Sequence, residues 1–288
     1  MQQIKTIAVC GAGTMGTGIA QLCVQSGYPT ILFDVQENIL QRSKDAMQES
    51  WKSLLIKGKI SQEELQQFES LLKYSSDIND CVADLVIEAI VEKASVKLDL
   101  FHQLAANNSI KTILVSNTSS ISINAMQAKL EDSFRFAGMH FFNPATHMKL
   151  VEIVRGDQTT EAVVKMLQEV AIRLGKTAVV CKDSPGFIVN RVARHYYLES
   201  LYLLEQGKVD VATIDQVLES TGFKMGAFRL MDLIGIDINY AVSKIIWEDL
   251  GKPKRLIPSI LQEEKIEKQD LGRKTGAGFY KYYKEENN

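Results

Sequence analysis

A glycine-rich turn near the start of the chain limits its fold more than any other feature. The apolar run Ile7–Cys10 leads directly into Gly11-Ala12-Gly13-Thr14-Met15-Gly16, and a helical pattern, Met15–Gln25, opens from this turn and ends at Gly27. A second apolar run starts at Thr30 and closes on an acid, Asp34. Three glycines in this spacing say little alone. A strand before them, a helix after and an acid closing the next strand make them a dinucleotide fingerprint. Gly11 suits the tight turn, Gly13 a close approach of backbone to pyrophosphate, and Gly16 the packing of helix on strand. The first N–H groups of the helix, at its positive end, would meet the phosphates. Asp34 would accept hydrogen bonds from the adenosine ribose and repel a 2′-phosphate. Val35 and Gln36 follow it, not Arg, so NAD is expected in preference to NADP. The alternative is a turn in a parallel sheet that binds nothing.

The remainder of the first two-thirds alternates in the same way. Strands are expected at Ile4–Cys10, Thr30–Asp34, Leu85–Ala89, Thr112–Ser116, Phe134–His140, Leu150–Val154 and Thr177–Cys181, with further helices at Ser95–Ala106 and Thr160–Leu174. This is the pattern of a Rossmann-type, doubly wound, mainly parallel sheet. One insertion interrupts it. Leu40, Met47, Trp51, Leu54 and Leu55 mark a long helix ended by Gly58, and Ser61 with Glu64 forms a capping box for a second helix carrying Leu65, Phe68 and Leu72. This helical hairpin is expected to project from the sheet near the cofactor. After Cys181 the pattern changes. Lys182-Asp183-Ser184-Pro185-Gly186 reads as a joint, with Asp183 or Ser184 as a helix cap and Pro185 in the first turn. Helical runs follow, and the next strand-like segment is the aromatic tail Gly278–Tyr283. The expected domains are therefore 1–184, dinucleotide-binding, and 185–288, an all-helical C-terminal domain.

Composition excludes several classes. Net charge is −2 with 24% charged residues and no basic arm, which argues against nucleic acid as a partner. Four scattered cysteines, Cys10, Cys23, Cys81 and Cys181, form no CxxC pair, so neither a disulfide framework nor a bound metal is expected, and the setting is read as a reducing cytoplasm. No apolar run approaches membrane-spanning length, and the N-terminus enters a strand without a signal segment, so no membrane association is expected.

Candidate chemistry gathers around two strands. His140 closes the run from Phe134, on one face with Phe136 and Gly138 by strand alternation. Glu152 stands inside the apolar run Leu150–Val154, where a buried carboxylate is costly without a partner. An imidazole is one such partner, and the pair would make His140 a base. Arg135, Lys149 or exposure at a sheet edge are the alternatives. Ser119, in Ser116-Asn117-Thr118-Ser119-Ser120, follows a strand end and suits either a substrate contact or a helix cap. Asn190 lies on the apolar stripe of Phe187, Ala193, Tyr197 and Leu201, where its amide needs partners from a ligand or from a neighbouring helix. Oxidation of an alcohol needs a base, donors to the forming carbonyl and a nicotinamide, and these residues supply that set.

Taken together, Gly11–Gly18 (GAGTMGTG), Ser116–Ser120 (SNTSS), His140–Pro144 (HFFNP), Gly186–Arg191 (GFIVNR) and Lys274–Tyr280 (KTGAGFY) resemble the 3-hydroxyacyl-CoA dehydrogenase family, and within it the bacterial 3-hydroxybutyryl-CoA dehydrogenases. The resemblance runs over nearly the whole chain. It implies an enzyme that oxidises short (S)-3-hydroxyacyl-CoA thioesters reversibly with NAD, in fatty-acid or butanoate metabolism. The runs Tyr196–Leu204 and Phe228–Ile238 carry more apolar surface than a small helical domain can bury, so a homodimer through that domain is expected. The resemblance implies His140 and Glu152 as the catalytic pair, Ser119 and Asn190 as substrate contacts, and Asp34, Glu92, Lys97, Ser119, Asn143 and Lys274 as contacts of NAD. Ser50 and Lys57 match coenzyme A contacts. Seven residues apart on one helix, they share a face, which is also what a solvated helix face would show. His195, Lys224, Ala227 and Arg229 depart from the family's usual residues, and they bear on the acyl chain accepted and on subunit packing. Two other functions remain open: a dehydrogenase of free hydroxy acids on the same scaffold, and a catalytically silent NAD-binding protein.

Overall fold

A computed structural model describes residues 3–282, and the chain divides into two compact units, one ending at Ser184 and the other beginning at Pro185. The first unit alternates as β1 (Ile7–Cys10), α1 (Thr14–Gln25), β2 (Thr30–Phe33), α2 (Glu37–Ile56), α3 (Gln62–Leu71) and β3 (Leu72–Ser75). It continues with β4 (Leu85–Glu88), α4 (Ala94–Asn107), β5 (Ile113–Ser116), α5 (Ile123–Gln127), β6 (Phe136–Phe141), β7 (Leu150–Arg155), α6 (Glu161–Arg173) and β8 (Thr177–Lys182). The eight strands form one sheet in the order β3-β2-β1-β4-β5-β6-β7-β8. Pairing is parallel throughout except between β6 and β7. Ile7, Val9, Leu85, Ile87 and Val115 are fully buried at its centre. Apolar runs without alternation mark strands covered on both faces, as parallel sheets require.

The hairpin follows its caps. Ser61 and Glu64 do close a capping box at α3. α2 buries Leu40, Met47 and Trp51 in the main core, while residues 56–59 at and beyond its end are exposed. Thr17 Oγ1 on α1 donates to Ala12 O (2.9 Å) and accepts from Ser43 Oγ (2.8 Å), and Gln21 Nε2 donates to Ser50 Oγ (2.9 Å). Leu72 belongs to no helix. It starts β3, an edge strand of only four residues (Leu-Lys-Tyr-Ser), too short and mixed to stand out beside a helical pattern. Phe134 likewise leaves β6 for a 3-10 turn, Ser133–Arg135, and is 43% exposed.

The second unit is helical: α7 (Val189–Glu205), α8 (Val211–Ser220), α9 (Ala227–Ile234), α10 (Ile236–Asp249) and α11 (Ile260–Glu267). Its core joins Tyr197, Leu201, Ile214, Phe228, Met231 and Ile246. Two expectations fail here. Neither Asp183 nor Ser184 caps α7, whose N-cap is Ile188 and has no side-chain cap bond. Asp183 Oδ2 instead accepts from Ser122 Oγ (2.6 Å) and Asn124 N (2.8 Å) at the start of α5, and Pro185 precedes the helix altogether. The aromatic tail is not a strand as far as Tyr282. Buried Asp232 takes the N–H groups of Phe279 and Tyr280 (both 2.9 Å), so the backbone donors a ladder would need are spent on a carboxylate. Only isolated bridges, Gly272 to Ala277 and Ala277 to Lys281, remain. Tyr283, the end of the expected segment, lies outside the described residues. Among the described residues no helix is long and apolar enough to cross a membrane.

Candidate active site

At the carboxyl end of β1 the three glycines differ in what holds them small. Gly11 has φ +106, and a Cβ there would lie 2.6 Å from the carbonyl oxygen of Ala89. At Gly16 a Cβ would collide with the carbonyl oxygen of Gly11. Protein packing therefore accounts for both. Gly13 is different: a Cβ would meet nothing within 4 Å. It is the N-cap of α1 and makes no side-chain cap bond, so the N–H groups of the first turn, where Thr14 and Met15 sit, are presented as an anion cradle. Asp34 follows β2, with Oδ2 accepting from Ala12 N (2.9 Å) and Oδ1 from Gln36 N (3.0 Å). These bonds fix the carboxylate beside the turn. A bare turn at a helix N-terminus, flanked by a fixed acid, fits a dinucleotide.

His140 and Glu152 face each other across the antiparallel β6–β7 pair. Directly opposed side chains on one sheet face lie close enough to interact, and here His140 Nδ1 meets Glu152 Oε2 at 2.8 Å. His140 is 5% exposed and Glu152 fully buried. β7 is an inner strand between β6 and β8, so Glu152 is not at an edge. Arg135 bonds elsewhere, to Ser109 O, Thr112 O and Asp132. Phe142 packs on the imidazole with ring centroids 4.5 Å apart, and exposed Asn143 follows in the bend after β6.

Glu92, Lys97 and Ser119 meet at the ends of β4 and β5. Glu92 Oε1 accepts from the Thr118 hydroxyl, Ser119 N (3.0 Å) and Ser120 Oγ (3.3 Å). Ser119 does not cap the following helix, because Ser122 does. The Lys97 ammonium is 1% exposed and lies 3.1 Å from Glu92 Oε2 and 2.5 Å from Glu88 Oε1. Burial alone would push the Glu92 carboxyl up, but the Lys97 charge and the hydrogen bonds from Thr118 and Ser119 outweigh it and hold it below the usual range. For Glu88 burial wins, and its carboxyl is raised despite Lys97.

The remaining candidates are less gathered. Ser50 belongs to the half-buried margin of α2, bonded by Gln21 and so not a solvated face, while exposed Lys57 is the C-cap of α2 and lies just beyond its end. In the second unit Asn190 opens α7, and its carbonyl accepts from Arg194 Nε (2.9 Å). Lys274 Nζ lies 2.5 and 2.7 Å from the two carboxylate oxygens of Asp237. Of the four departures, His195 and Lys224 are exposed, Ala227 is fully buried at the start of α9, and Arg229 stacks over Tyr280 near Asp215 and Glu219. Glu88, Ser116 and Asn117 were not singled out from sequence. Asn117 Oδ1 accepts from Phe141 N (2.9 Å), one residue past His140. The signal that found Glu152, an acid in an apolar strand, was equally present in Leu85-Val86-Ile87-Glu88.

A mainly parallel sheet with a bare glycine turn after its first strand and an acid after its second defines a Rossmann-type NAD-binding protein. Comparison with known families narrows the class. Residues 6–184 match the model of the 3-hydroxyacyl-CoA dehydrogenase NAD-binding domain, and residues 186–282 match the model of that family's C-terminal domain. The chain is 42% identical over 282 residues to 3-hydroxyadipyl-CoA dehydrogenase of Escherichia coli K12, an alignment covering 97% of this chain and 59% of that protein. It is 38% identical over 291 residues to the mitochondrial hydroxyacyl-coenzyme A dehydrogenase of Sus scrofa, covering 97% and 91%. The solved structure of (S)-3-hydroxybutyryl-CoA dehydrogenase from Ralstonia eutropha superposes with a TM-score of 0.94 at 33% identity, covering 98% of this chain and all of that one. The chain belongs to the 3-hydroxyacyl-CoA dehydrogenase family, and its cofactor is NAD.

Proposed function

We propose that the chain interconverts (S)-3-hydroxyacyl-CoA and 3-oxoacyl-CoA, with short acyl chains preferred, through His140 as general base and Glu152 as its orienting partner. The observation that carries this reading is the buried 2.8 Å contact between His140 Nδ1 and Glu152 Oε2. With Nδ1–H donated to Glu152, the Nε2 lone pair is the base for the 3-hydroxyl proton. As that proton arrives, the Glu152 carboxylate stabilises the imidazolium without leaving its place. NAD, when bound, supplies the acceptor for the hydride that leaves C3. Ser119 donates to the oxygen as it becomes a carbonyl, and Ser50 and Lys57 contact coenzyme A phosphate. Asp34, Asn143, Glu92 and Lys97 complete the NAD set. In the reverse direction the imidazolium returns the proton.

The natural state proposed is a homodimer formed through the helical unit, in the cytoplasm. Leu233, Ile234, Ile238, Ile245, Ile257 and Ile260 are each between 38% and 54% exposed there, and their number in one helical unit supports that reading. The test of the dyad is Glu152→Gln, which keeps size and removes charge. The imidazole should become a weaker base, and kcat should fall roughly 10²–10⁴-fold, while NADH binds as before. A near-normal kcat with an unchanged pH profile would leave Glu152 a structural residue.

A further inference from the structure

Glu88 is a buried acid that the chemistry above does not use. Its position is expensive. It ends β4, where Leu85, Val86 and Ile87 are wholly buried, and it is itself fully buried. An apolar residue would stabilise the sheet at least as well as a buried ion pair does. The register puts Cys10, Glu88, Ser116 and Gly138 on one rung at the carboxyl edge of the sheet. Glu88 Oε1 accepts from Lys97 Nζ (2.5 Å) and from Ile90 N (2.7 Å). Glu88 Oε2 accepts from Ser116 Oγ (2.6 Å), and Ser116 Oγ accepts in turn from Thr118 N (3.2 Å).

The direction of these bonds matters. Because the carboxylate only accepts, the Ser116 hydroxyl must donate to it, which turns an oxygen lone pair toward the Thr118 N–H. Thr118 then accepts from Ser120 N (3.3 Å) and Ile121 N (2.9 Å). The same turn is gripped from its other side by Glu92, which Lys97 also holds, and Asn117 ties it to β6 beside His140. One lysine and two carboxylates thus set the whole 116–121 turn, which carries Ser119.

We propose that Glu88 is a positioning residue: by orienting the Ser116 hydroxyl it fixes the turn that presents Ser119 to the reacting oxygen. The proposal rests on the dehydrogenase reading for its kinetic arm only. In Glu88→Gln an amide cannot accept with both ends. If its oxygen keeps Lys97 and Ile90, its nitrogen confronts Ser116, whose hydroxyl must turn away. If it is reversed, an amide N–H2 faces the ammonium. Either arrangement loosens the turn without touching the glycine turn after β1.

The experiment compares wild type, Glu88→Gln, Ser116→Ala and the double variant, all below their melting temperatures. Two readouts are taken: kcat for acetoacetyl-CoA reduction by NADH, and amide hydrogen exchange at Thr118 and Ser119. Expected are a fall in kcat of about tenfold or more in each single variant and faster exchange at both amides. The double variant should be no slower than the slower single, because both changes cut one chain of bonds. Wild-type kcat and unchanged exchange in a folded single variant would overturn the proposal, as would losses that multiply in the double variant. Ser116→Ala decides alone if Glu88→Gln does not fold. A wild type that lacks the reaction would refute the dehydrogenase reading instead, and exchange at the two amides would still judge the role of Glu88.

Discussion

At the scale of single residues, the proposed site rests cofactor choice on Asp34. Its carboxylate is fixed by the Ala12 and Gln36 amides, so it cannot easily turn away from a 2′-phosphate. NADH should be preferred over NADPH by at least about tenfold in kcat/KM, or ~1.4 kcal/mol, and equal values would contradict this. What was legible at this scale depended on contrast with the surroundings. Gly11, Gly13 and Gly16 stood out by spacing, and Glu152 by carrying charge in an apolar run. Glu88 carried the same contrast at a strand end, where an acid is easily taken for the start of a loop. Asn117 and Ser116 had no contrast at all, because their importance lies in which lone pair faces which N–H, and that exists only once β4, β5 and β6 are adjacent.

At the scale of elements, two consequences follow from α2 and from the β4–β5 turn. Lys57 stands exposed at the end of α2. On the proposed coenzyme A contact, replacing it with alanine removes a charge-assisted phosphate interaction worth roughly 1–3 kcal/mol, made equally in ground and transition states. KM for the acyl-CoA should therefore rise with kcat little changed; a large fall in kcat at constant KM would assign the hairpin another role. Glu92 links acidity to stability. Its folded carboxyl titrates below its ordinary range, so it stabilises the fold above the ordinary glutamate value of about 4.3 and loses that contribution as pH falls through the lower, folded value. Raised Glu88 has the opposite sign. Thermal melts across pH should show Glu92→Gln less stable than wild type at neutrality, with the deficit shrinking on acidification, whereas a constant deficit would argue against this linkage. Periodicity and caps made α1, α3, α4 and α6 legible to within a residue or two. β3, the start of α7 and the aromatic tail were not, since each depends on a distant partner: β2 for the edge strand, α5 for Asp183, and Asp232 for the tail amides.

At the scale of the whole molecule, strand–helix alternation was enough to read a mainly parallel sheet, because a chain that buries both faces of each strand has few other ways to fold. Surplus apolar surface is expected of the runs Tyr196–Leu204 and Phe228–Ile238, and Tyr202, Leu233, Ile234 and Ile238 are exposed there. Sedimentation at micromolar concentration should give twice the mass of one chain, and a single-chain mass would count against the dimer. The central claim, an NAD-dependent dehydrogenase of 3-hydroxyacyl thioesters, is tested most directly by one kinetic comparison. NADH oxidation is followed with acetoacetyl-CoA and, separately, with free acetoacetate. The thioester should turn over with a kcat/KM at least about a hundredfold above that of the free acid, since coenzyme A contacts worth roughly 3 kcal/mol are lost without it. Equal rates would place the chain among dehydrogenases of free acids, and no oxidation with either substrate would contradict the account at its centre.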